Sequence, residues 1–474
     1  MGPALDRHVA LIGFMGAGKT RLGREVADRL DRPFHDLDAT IEQVAGKTVP
    51  ELFESHGEPG FREVELREAT RLLDARPSVI SLGGGAVTTK GVRKLLGSRA
   101  VAVLVEIDVD TAWSRVRASD RPLARDETAF RELFERRAPV YRDTADAVAR
   151  DADDVVLAAA GIHVGIGALE RLGSLVPGEG ATTLVTDATV AGIHGATTQL
   201  AVGSRLVSVQ ELPAGEEAKT LAVCERLWRT LELGRDGTIV ALGGGATTDT
   251  AGFVAATYLR GLPWVAVPTT LVGQVDAGIG GKTGVNLPDA KNQVGAFHWP
   301  VRTVIDPGLL ATLPAGEREN GAAEVLKTGL LAGDALWELP ESEQVRRAAA
   351  YKAAVCLRDP EERGPRAELN LGHTFAHALE AASDYRLPHG RAVALGLLAA
   401  LRLSGLPTDV VEERLRPRPV RVDRDRAWSA LLRDKKARGG VPRLVLLERP
   451  GAPRIGVELP APDIRAALDA LIER

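Results

Sequence analysis

The 474-residue chain contains only two cysteines, Cys224 and Cys356, and neither lies in a CxxC or other metal-type spacing. Two distant cysteines cannot build a disulfide framework. Scarce cysteine is typical of proteins kept in a reducing compartment. We therefore expect a cytoplasmic protein.

The chain also lacks long apolar runs and a strong excess of charge of one sign. The best candidates for a membrane span, residues 155–169 and 392–401, are too short or are interrupted by His163 or bordered by Arg402. The formal net charge of -4 offers no general attraction to nucleic acid or to an anionic membrane. We expect no nucleic-acid or membrane partner, and we expect the important basic residues to bind small anionic substrates locally.

A complete phosphate-binding loop lies near the N-terminus. Residues 13–20 read GFMGAGKT, which matches GxxxxGK[ST], and they follow the apolar run 9–12 directly. In this motif glycines turn backbone N–H groups toward phosphate, the lysine contacts the β- and γ-phosphates, and the hydroxyl coordinates Mg²⁺. The predicted ATP- and Mg²⁺-binding residues are Gly13, Gly16, Ala17, Gly18, Lys19 and Thr20.

The order of apolar runs predicts the domain organisation. Short β-rich runs alternate with helical segments up to about residue 156, a second such series begins near His163, and helical composition dominates after about residue 309. Alternation of this kind favours an α/β class with parallel sheets. We predict a P-loop three-layer α/β/α domain over 1–160, a Rossmann-like α/β subdomain over 161–308, and an all-helical metal-binding subdomain over 309–474.

Five further pieces of the first half accompany the loop. They are Asp36-Leu37-Asp38, residues 61–65 (FREVE), Gly83-Gly84-Gly85, Arg121-Pro122-Leu123 and residues 137–141. Taken singly each has a simpler explanation, such as a solvated loop for the two aspartates or a surface pair for Arg62 and Glu65. In this order, over residues 5–157, they resemble the shikimate kinases.

The resemblance implies a role for each piece. Asp38 would orient the acceptor hydroxyl or accept its proton, and Asp36 would help hold Mg²⁺ through water. The guanidinium groups of Arg62 and Arg137 would bind the substrate carboxylate. The backbone of Gly83, Gly84 and Gly85 would approach the substrate ring, and Arg121 would neutralise charge on the transferring phosphoryl group.

The second half carries a different Gly-rich signature and a histidine cluster. Gly243-Gly244-Gly245 follows the apolar run 238–242 and precedes Asp249, an arrangement that suits close approach of a backbone to a pyrophosphate. Three histidines, His373, His377 and His389, lie within seventeen residues. Histidines at i and i+4 share one helical face, and two imidazoles with a carboxylate are a ligand set for catalytic Zn²⁺.

From about His163 onward the chain resembles 3-dehydroquinate synthase, so that the whole resembles a bifunctional fusion. The resemblance implies that Glu324, His373 and His389 bind Zn²⁺ (or Co²⁺). The implied NAD⁺-binding residues are Asp187, Glu216, Lys219, Gly244, Gly245, Asp249, Thr269 and Thr270. The implied substrate-binding residues are Asp276, Lys282, Lys291, Asn292, Lys352, Arg366, Asn370 and Lys435.

The resemblance also implies catalytic roles for Lys282, Lys327, His377 near the substrate phosphate, and Arg260, which would reach in from a neighbouring subunit of a homodimer formed through this half. The implied reactions are phosphorylation of shikimate by ATP and conversion of 3-deoxy-arabino-heptulosonate 7-phosphate to 3-dehydroquinate and phosphate.

One departure from the family pattern bears on the metal. The family usually has Glu two residues after the last metal histidine, whereas this chain has Arg391. A cation there predicts weaker metal binding or turnover. The alternatives are a kinase fused to another sugar-phosphate cyclase, to an NAD-dependent polyol dehydrogenase, or to a catalytically impaired synthase-like binding module.

Overall fold

The computed structural model describes residues 2–117, 126–288, 290–433 and 442–473. The chain divides into two compact units, residues 1–162 and 163–474. The division lies two residues from the boundary expected from the sequence. Among the described residues, no helix combines the length and the apolar character needed to cross a bilayer.

The first unit is a parallel five-stranded sheet covered by helices. Its strands are β1 (His8–Ile12), β2 (Phe34–Asp36), β3 (Val79–Ser81), β4 (Ala100–Val105) and β5 (Ala147–Ala149). Its helices are α1 (Lys19–Leu30), α2 (Leu37–Ala45), α3 (Val49–Leu73), α4 (Lys90–Arg99), α5 (Val109–Val116), α6 (Glu127–Thr144) and α7 (Ala152–Ala159). The strand order is β2-β3-β1-β4-β5 with parallel pairing. Every residue of β1 and β4 is buried, as expected where helices cover both faces of a parallel sheet.

The phosphate-binding loop connects the carboxyl end of β1 to the first turn of α1. Gly13, Gly16 and Gly18 have φ values of 141°, 83° and 86°, which L side chains rarely adopt. A Cβ atom on Gly13 would also lie 2.7 Å from the carbonyl oxygen of Val105. The glycines of the motif are therefore required by the backbone of this loop.

The second unit contains a six-stranded sheet, two hairpins and most of the helices. Its strands are β6 (Ile162–Val164), β7 (Thr182–Asp187), β8 (Leu206–Leu212), β9 (Thr238–Gly243), β10 (Trp264–Pro268), β11 (Lys282–Leu287), β12 (Ala290–Phe297), β13 (Arg302–Ile305), β14 (Leu444–Arg449) and β15 (Ala452–Val457). Its first helices are α8 (Leu172–Leu175), α9 (Ala188–Val190), α10 (Ala196–Val202), α11 (Leu221–Thr230) and α12 (Gly245–Thr257). The helices after residue 309 are α13 (Ala315–Ala332), α14 (Glu341–Arg358), α15 (His373–Ala382), α16 (His389–Leu403), α17 (Asp409–Leu415), α18 (Arg424–Leu432) and α19 (Ala461–Asp469).

The strand order of this sheet, β6-β13-β10-β9-β7-β8, places the nucleotide signature at a switch point. The chain runs from β7 to β8 on one side and returns to β9 on the other side of β7, and these pairs are parallel. Ligands of open α/β sheets bind beyond the carboxyl ends of the strands at such a point. Asp187 ends β7 and Gly243 ends β9, so both lie at this edge.

The described residues after 309 form helices and one antiparallel strand pair, β14–β15. The sequence analysis did not anticipate this hairpin, because Leu444–Leu447 are four consecutive buried residues without the alternation that marks a half-exposed strand. β14 packs with α13, α15 and α16 in one apolar core. This core holds the two histidine-bearing helices against α13.

Candidate active sites

The phosphate-binding loop of the first unit brings Lys19, Thr20 and Asp36 together. The Lys19 ammonium is buried and donates to the carbonyl oxygens of Gly13 (2.8 Å) and Phe14 (3.0 Å). The Thr20 hydroxyl donates to Oδ2 of Asp36 over 2.7 Å. Asp36 ends β2 and caps α2, where its other oxygen accepts from the backbone N–H of Ala39. Two hard oxygen ligands therefore lie side by side at the loop, which is the ligand type that Mg²⁺ requires.

The triple glycine of the first unit leaves room for two predicted site residues. A Cβ atom on Gly83 would overlap the Asp38 carboxylate, and one on Gly85 would overlap the Arg62 guanidinium group. Gly84 offers its carbonyl oxygen to Arg137 Nη1 (3.2 Å) and to the Tyr141 hydroxyl. The structure thus gathers Asp38, Arg62 and Arg137 around residues 83–85.

Glu65 anchors Arg62 in this group. Its side chain is 1% exposed and pairs with Arg62 over 2.8 Å, while the exposed Glu58 pairs with Arg62 over 3.1 Å. Burial raises the pKa of Glu65, and the opposing effect of Arg62 reduces this shift without reversing it. The Arg62–Glu65 pair is therefore interior, in contrast to the surface pair considered as its simpler explanation.

Tyr141 is a second residue of this site to which sequence reasoning gave no role. Burial raises its pKa to about 12, so it remains a hydroxyl donor to Gly84 at neutral pH. Its position four residues after Arg137, on the same face of α6, was the available signal. Arg121 lies outside the described residues.

A large cleft lies in the second unit, between the carboxyl edge of its sheet and the helices after residue 309. Its volume is about 2070 Å³, larger than the roughly 300–1,000 Å³ typical of a site for one small ligand. The cleft has room for a dinucleotide beside a sugar phosphate. The predicted residues that line it are Asp187, Glu216, Lys219, Gly244, Gly245, Asp249, Thr269, Thr270, Asp276, Lys282, Lys291, Asn292, Lys327, Lys352, Arg366, Asn370, His373, His377 and His389.

Two other predicted residues of this unit do not line the cleft, and a third is not described. Glu324 is 1% exposed and lies behind its wall, in contact with His373 and His389. Arg260 is exposed and does not line the cleft of its own chain. Lys435 lies outside the described residues.

At the predicted nucleotide end of the cleft, two glycines allow the backbone to lie close to neighbouring residues. α12 begins at Gly245 directly after β9, and Cβ atoms on Gly244 and Gly245 would lie 3.1 Å from Thr270 Cγ2 and from Ala277 Cβ respectively. The Asp187 carboxylate accepts from two backbone N–H groups at the start of α9, over 3.0 and 3.1 Å. A helix N-terminus with an open glycine backbone suits a pyrophosphate.

Lys219 connects two elements at the nucleotide end of the cleft. Its ammonium donates over 2.6 Å to both Asp249 Oδ2 and Asn292 Oδ1. Burial lowers the pKa of Lys219, but Asp249 raises it by more, so the net pKa lies above the ordinary lysine value. The lysine therefore keeps its charge and joins α12 to β12.

A group of cations surrounds Asp276 deeper in the cleft. Lys352 Nζ lies 2.6 Å and Lys327 Nζ lies 3.9 Å from Asp276 Oδ1, and Lys327 also pairs with Glu324. Burial raises the pKa of Asp276, yet the two lysines lower it by more, and the net pKa is below the ordinary value. Arg366, 1% exposed, donates to the carbonyl oxygen of Gly280 over 3.0 Å. Fixed cations of this kind can bind carboxylate and phosphate without reorganising.

Lys282 stands at the more open side of this group. Its side chain is half exposed and its ammonium pairs with Glu362 over 2.5 Å. Partial burial, together with Arg366 and Lys352, lowers the pKa of Lys282 despite the opposing effect of Glu362. Lys282 is the most exposed of these lysines and its pKa is lowered, so it can exchange a proton most readily.

Glu324, His373 and His389 form a metal-type cluster, with ligand atoms within 4.8 Å of one another. Nε2 of His389 and Nε2 of His373 lie 3.3 and 3.6 Å from Oε1 of Glu324. Tetrahedral Zn²⁺ with bonds of about 2.05 Å separates its ligands by roughly 3.3 Å, so the observed spacing fits such an ion.

The other ring nitrogens of both histidines are already held. His373 Nδ1 lies 3.2 Å from the carbonyl oxygen of Leu371, and His389 Nδ1 lies 3.1 Å from Oε1 of Glu380. If both Nδ1 atoms donate, both Nε2 atoms face the cluster, which is the tautomer a metal needs. Sequence reasoning missed Glu380, although it follows His373 by seven residues on the same face of α15.

The two imidazoles carry opposite pKa shifts. Burial, and then Lys327, lower the pKa of His373 well below its ordinary value. Burial also lowers that of His389, but hydrogen bonds to Glu324 and Glu380 outweigh it and raise the pKa to about 10. In the metal-free cluster His373 is neutral and His389 is protonated.

His377 and Arg391 stand beside the cluster without joining it. The His377 ring lies 5.4 Å from the His373 ring, one turn further along α15, and faces the cleft. Arg391 is exposed, and its Nη2 lies 3.5 Å from the carbonyl oxygen of Arg418. A carboxylate next to His389 is supplied by Glu380, not by residue 391.

Comparison with known proteins agrees with the two family resemblances. The shikimate kinase family model matches residues 15–161, and the N-terminal and C-terminal models of 3-dehydroquinate synthase match residues 209–320 and 321–436. A 3-dehydroquinate synthase of Symbiobacterium thermophilum is 40% identical over 65% of this chain and 97% of its own. The solved ValA, a 2-epi-5-epi-valiolone synthase from Streptomyces hygroscopicus subsp. jinggangensis 5008 with NAD⁺ and Zn²⁺ bound, is 28% identical, covers 65% of this chain and 96% of its own, and has a TM-score of 0.59.

The fold and the two sites thus define a P-loop kinase joined to an enzyme of the sugar-phosphate cyclase fold. A relative from Thermotoga maritima has both parts in one chain: it is a bifunctional shikimate kinase/3-dehydroquinate synthase, 32% identical over 90% of this chain and 93% of its own. The present chain belongs to this bifunctional shikimate kinase/3-dehydroquinate synthase family. Both of its parts are enzymes of the shikimate pathway.

Proposed function

We propose that the first unit phosphorylates shikimate with ATP and that the second converts 3-deoxy-arabino-heptulosonate 7-phosphate to 3-dehydroquinate and phosphate. The observation that carries the proposal is the grouping of residues distant in sequence. A P-loop with an acceptor site forms in one unit, and nineteen predicted residues face one cleft in the other. Each grouping matches the charges of its substrate.

In the kinase, positioning and charge do most of the work. Thr20 and Asp36 would hold Mg²⁺, and Lys19 would leave the loop carbonyls to contact the ATP phosphates. Arg62 and Arg137 would bind the shikimate carboxylate. Asp38 would then orient the acceptor hydroxyl and take its proton as the phosphoryl group transfers.

In the synthase, the chain itself binds two anionic groups at fixed cations. Lys327, Lys352, Lys282 and Arg366 would surround the carboxylate, the phosphate and the ring hydroxyls. Asp276 pairs with two of these lysines, Lys327 and Lys352, and holds their ammonium groups in place. His377, beside the cluster, would lie near the phosphate that leaves.

Two bound groups complete the synthase chemistry. Glu324, His373 and His389 would hold Zn²⁺ or Co²⁺, which supplies Lewis-acid polarisation of a substrate hydroxyl. Residues of the switch-point edge, Asp187, Gly244, Gly245 and Asp249 among them, would hold NAD⁺, which supplies reversible oxidation of an alcohol and is regenerated in each cycle. The net reaction then releases phosphate without net oxidation.

Two assays on one preparation test the proposal. ADP release with shikimate and phosphate release from the heptulosonate phosphate with NAD⁺ and Zn²⁺ are measured for the parent, Lys19→Ala and His373→Ala. Each variant should lose only its own activity and serve as the folding control for the other. Absence of phosphate release by the parent would refute the synthase assignment while leaving the kinase assignment standing.

We also propose a homodimer in which Arg260 serves the cleft of the partner subunit. Its support is that Arg260 is exposed and does not line the cleft of its own chain. Arg260→Ala and His373→Ala, each inactive alone, are mixed under subunit exchange. Mixed dimers would contain one complete site, restoring about one quarter of parental synthase activity at random pairing. No recovery, despite mixed dimers detected by differential tags, would show that Arg260 does not act across subunits.

A further inference from the structure

The segment after α17 places arginines at the mouth of the synthase cleft. Residues 414–421 read RLRPRPVR. Arg416 and Arg418 are exposed and line the cleft together with Arg391 at the start of α16. Arg391 Nη2 lies 3.5 Å from the carbonyl oxygen of Arg418, so the start of α16 and the segment after α17 are adjacent here. We call Arg391, Arg416 and Arg418 the arginine rim.

No carboxylate of the described residues neutralises the charges of the rim. Within the described parts of the protein, no ion pair joins any of these three guanidinium groups to a carboxylate. The fourth arginine of the mouth, Arg414, differs because it pairs with Glu338. Three like charges gathered without partners repel one another, and an anion arriving from solution would relieve that repulsion.

The backbone at the centre of the rim is also unusual. Arg416 ends α17 with φ 46° and ψ 49°, a left-handed conformation that L side chains adopt rarely and at a cost. This conformation holds an arginine, rather than the glycine common at such a helix end, against the cleft. The arrangement favours a binding role for the side chain.

The rim supplies much of the unpaired positive charge of the cleft. Ten Lys or Arg and eight Asp or Glu residues of the described chain line it, so that without the three rim arginines seven Lys or Arg would face eight Asp or Glu. The inner cations are largely paired with Asp249, Asp276 and Glu362. Among the described Lys and Arg residues, the rim therefore adds the net positive charge that attracts an approaching dianion.

We infer that the arginine rim is an outer anion subsite that captures the phosphate of the incoming substrate before it reaches the inner cations. The inference rests on the proposed synthase reaction. Cation-lined clefts with low-dielectric walls raise association rates by about 10- to 10³-fold, an effect that salt screens. Guanidinium groups also bind phosphate with bidentate geometry, so the rim offers a defined binding site in addition to long-range electrostatic attraction. The rim is a positioning device, since the substrate leaves it before reaction.

The test compares two triple variants with the same change in net charge. The rim variant carries Arg391→Gln, Arg416→Gln and Arg418→Gln. The control carries Arg235→Gln, Arg424→Gln and Arg454→Gln, three exposed arginines of the same unit that do not line the cleft. Shikimate kinase activity reports the folded first unit of each preparation, and an unchanged kcat for phosphate release reports that the substituted second unit is folded.

For the rim variant we expect kcat/KM for phosphate release to fall roughly tenfold at low ionic strength, with kcat little changed. The deficit should shrink as salt rises toward about 1 M, where the Debye length is about 3 Å. The control should stay within about twofold of the parent throughout. Equal kcat/KM and equal salt dependence in the two triple variants would overturn the inference.

A binding measurement separates this inference from the proposed reaction. Titration of the NAD⁺- and Zn²⁺-loaded chain with inorganic phosphate should give weaker binding for the rim variant than for the control. If the parent releases no phosphate from the heptulosonate phosphate, the proposed function fails, and this titration alone decides whether the rim binds anions. A rim variant that binds phosphate as the control does overturns the inference in that case as well.

Discussion

Substitution of Glu380 by Gln should weaken metal binding in a way that depends on pH. Glu380 accepts from His389 Nδ1 over 3.1 Å, and its side chain is 12% exposed. A hydrogen bond to a charged group contributes about 1.5–3 kcal/mol, against about 0.5–1.5 kcal/mol for a neutral one. Replacing the Glu380 carboxylate by an amide should therefore weaken the hydrogen bond to His389 by about 1–1.5 kcal/mol. This corresponds to a loss of roughly tenfold in metal affinity, within the 10- to 100-fold range for replacing residues that hold metal ligands in place.

The sign of the pH dependence follows from the competing proton. Because the metal-free His389 has its pKa raised to about 10, it must lose a proton before its Nε2 can bind a metal. Parental affinity should therefore rise about tenfold per pH unit below that value. Removing the Glu380 charge lowers the pKa of His389 and weakens this competition. The ratio of parental to variant affinity should thus be smallest at low pH and grow with pH toward about tenfold.

The assay is competition of the chain with a chromophoric Zn²⁺ chelator between about pH 7 and pH 11, a range that spans the raised pKa of His389, corrected for the chelator's own titration. Glu319→Gln is the matched control, since Glu319 is an exposed glutamate that lines the same cleft. A parental affinity independent of pH, or a parent-to-variant ratio that falls with pH, would refute this account of His389.

Three further predictions address other parts of the chain. Gly83→Ala should reduce shikimate kinase kcat/KM by about 100-fold without affecting the synthase, because its Cβ would displace the Asp38 carboxylate; Gly97→Ala, where a Cβ meets nothing within 4 Å, is the control. Arg391→Glu tests two expectations. The family pattern predicts that this variant binds Zn²⁺ more tightly, whereas the arginine rim predicts that its kcat/KM for phosphate release falls at low salt. A variant with unchanged Zn²⁺ affinity and unchanged kcat/KM would contradict both. Phe375→Ala should destabilise the second unit by about 3–5 kcal/mol in denaturant unfolding, because Phe375 is 1% exposed in the core that holds α15; a loss below about 1 kcal/mol would show that this core does not anchor α15.

Much of the fold could be read from local patterns. The P-loop glycines, the apolar runs of β1, β4 and β9, and the histidines at i and i+4 on α15 are set by backbone sterics and by side-chain periodicity, which act over a few residues. The β14–β15 hairpin was not predicted, because the first four residues of its first strand are all buried and show no alternation. Its identity as a strand depends on packing against α16, which no local pattern encodes.

The sequence by itself determined which chemical groups the chain carries: a phosphate-binding loop, a Gly-rich turn after an apolar strand, a set of basic side chains, and the carboxylate and two histidines predicted to bind a metal. Only the tertiary structure decided which second residue orients each of them. Glu65 buries its charge against Arg62, Glu380 rather than residue 391 supports His389, and Arg416 and Arg418 meet Arg391 at the cleft mouth. The physical reason is that hydrogen bonds and ion pairs act over about 3–4 Å, so partners distant in the chain become partners only when helices and strands pack.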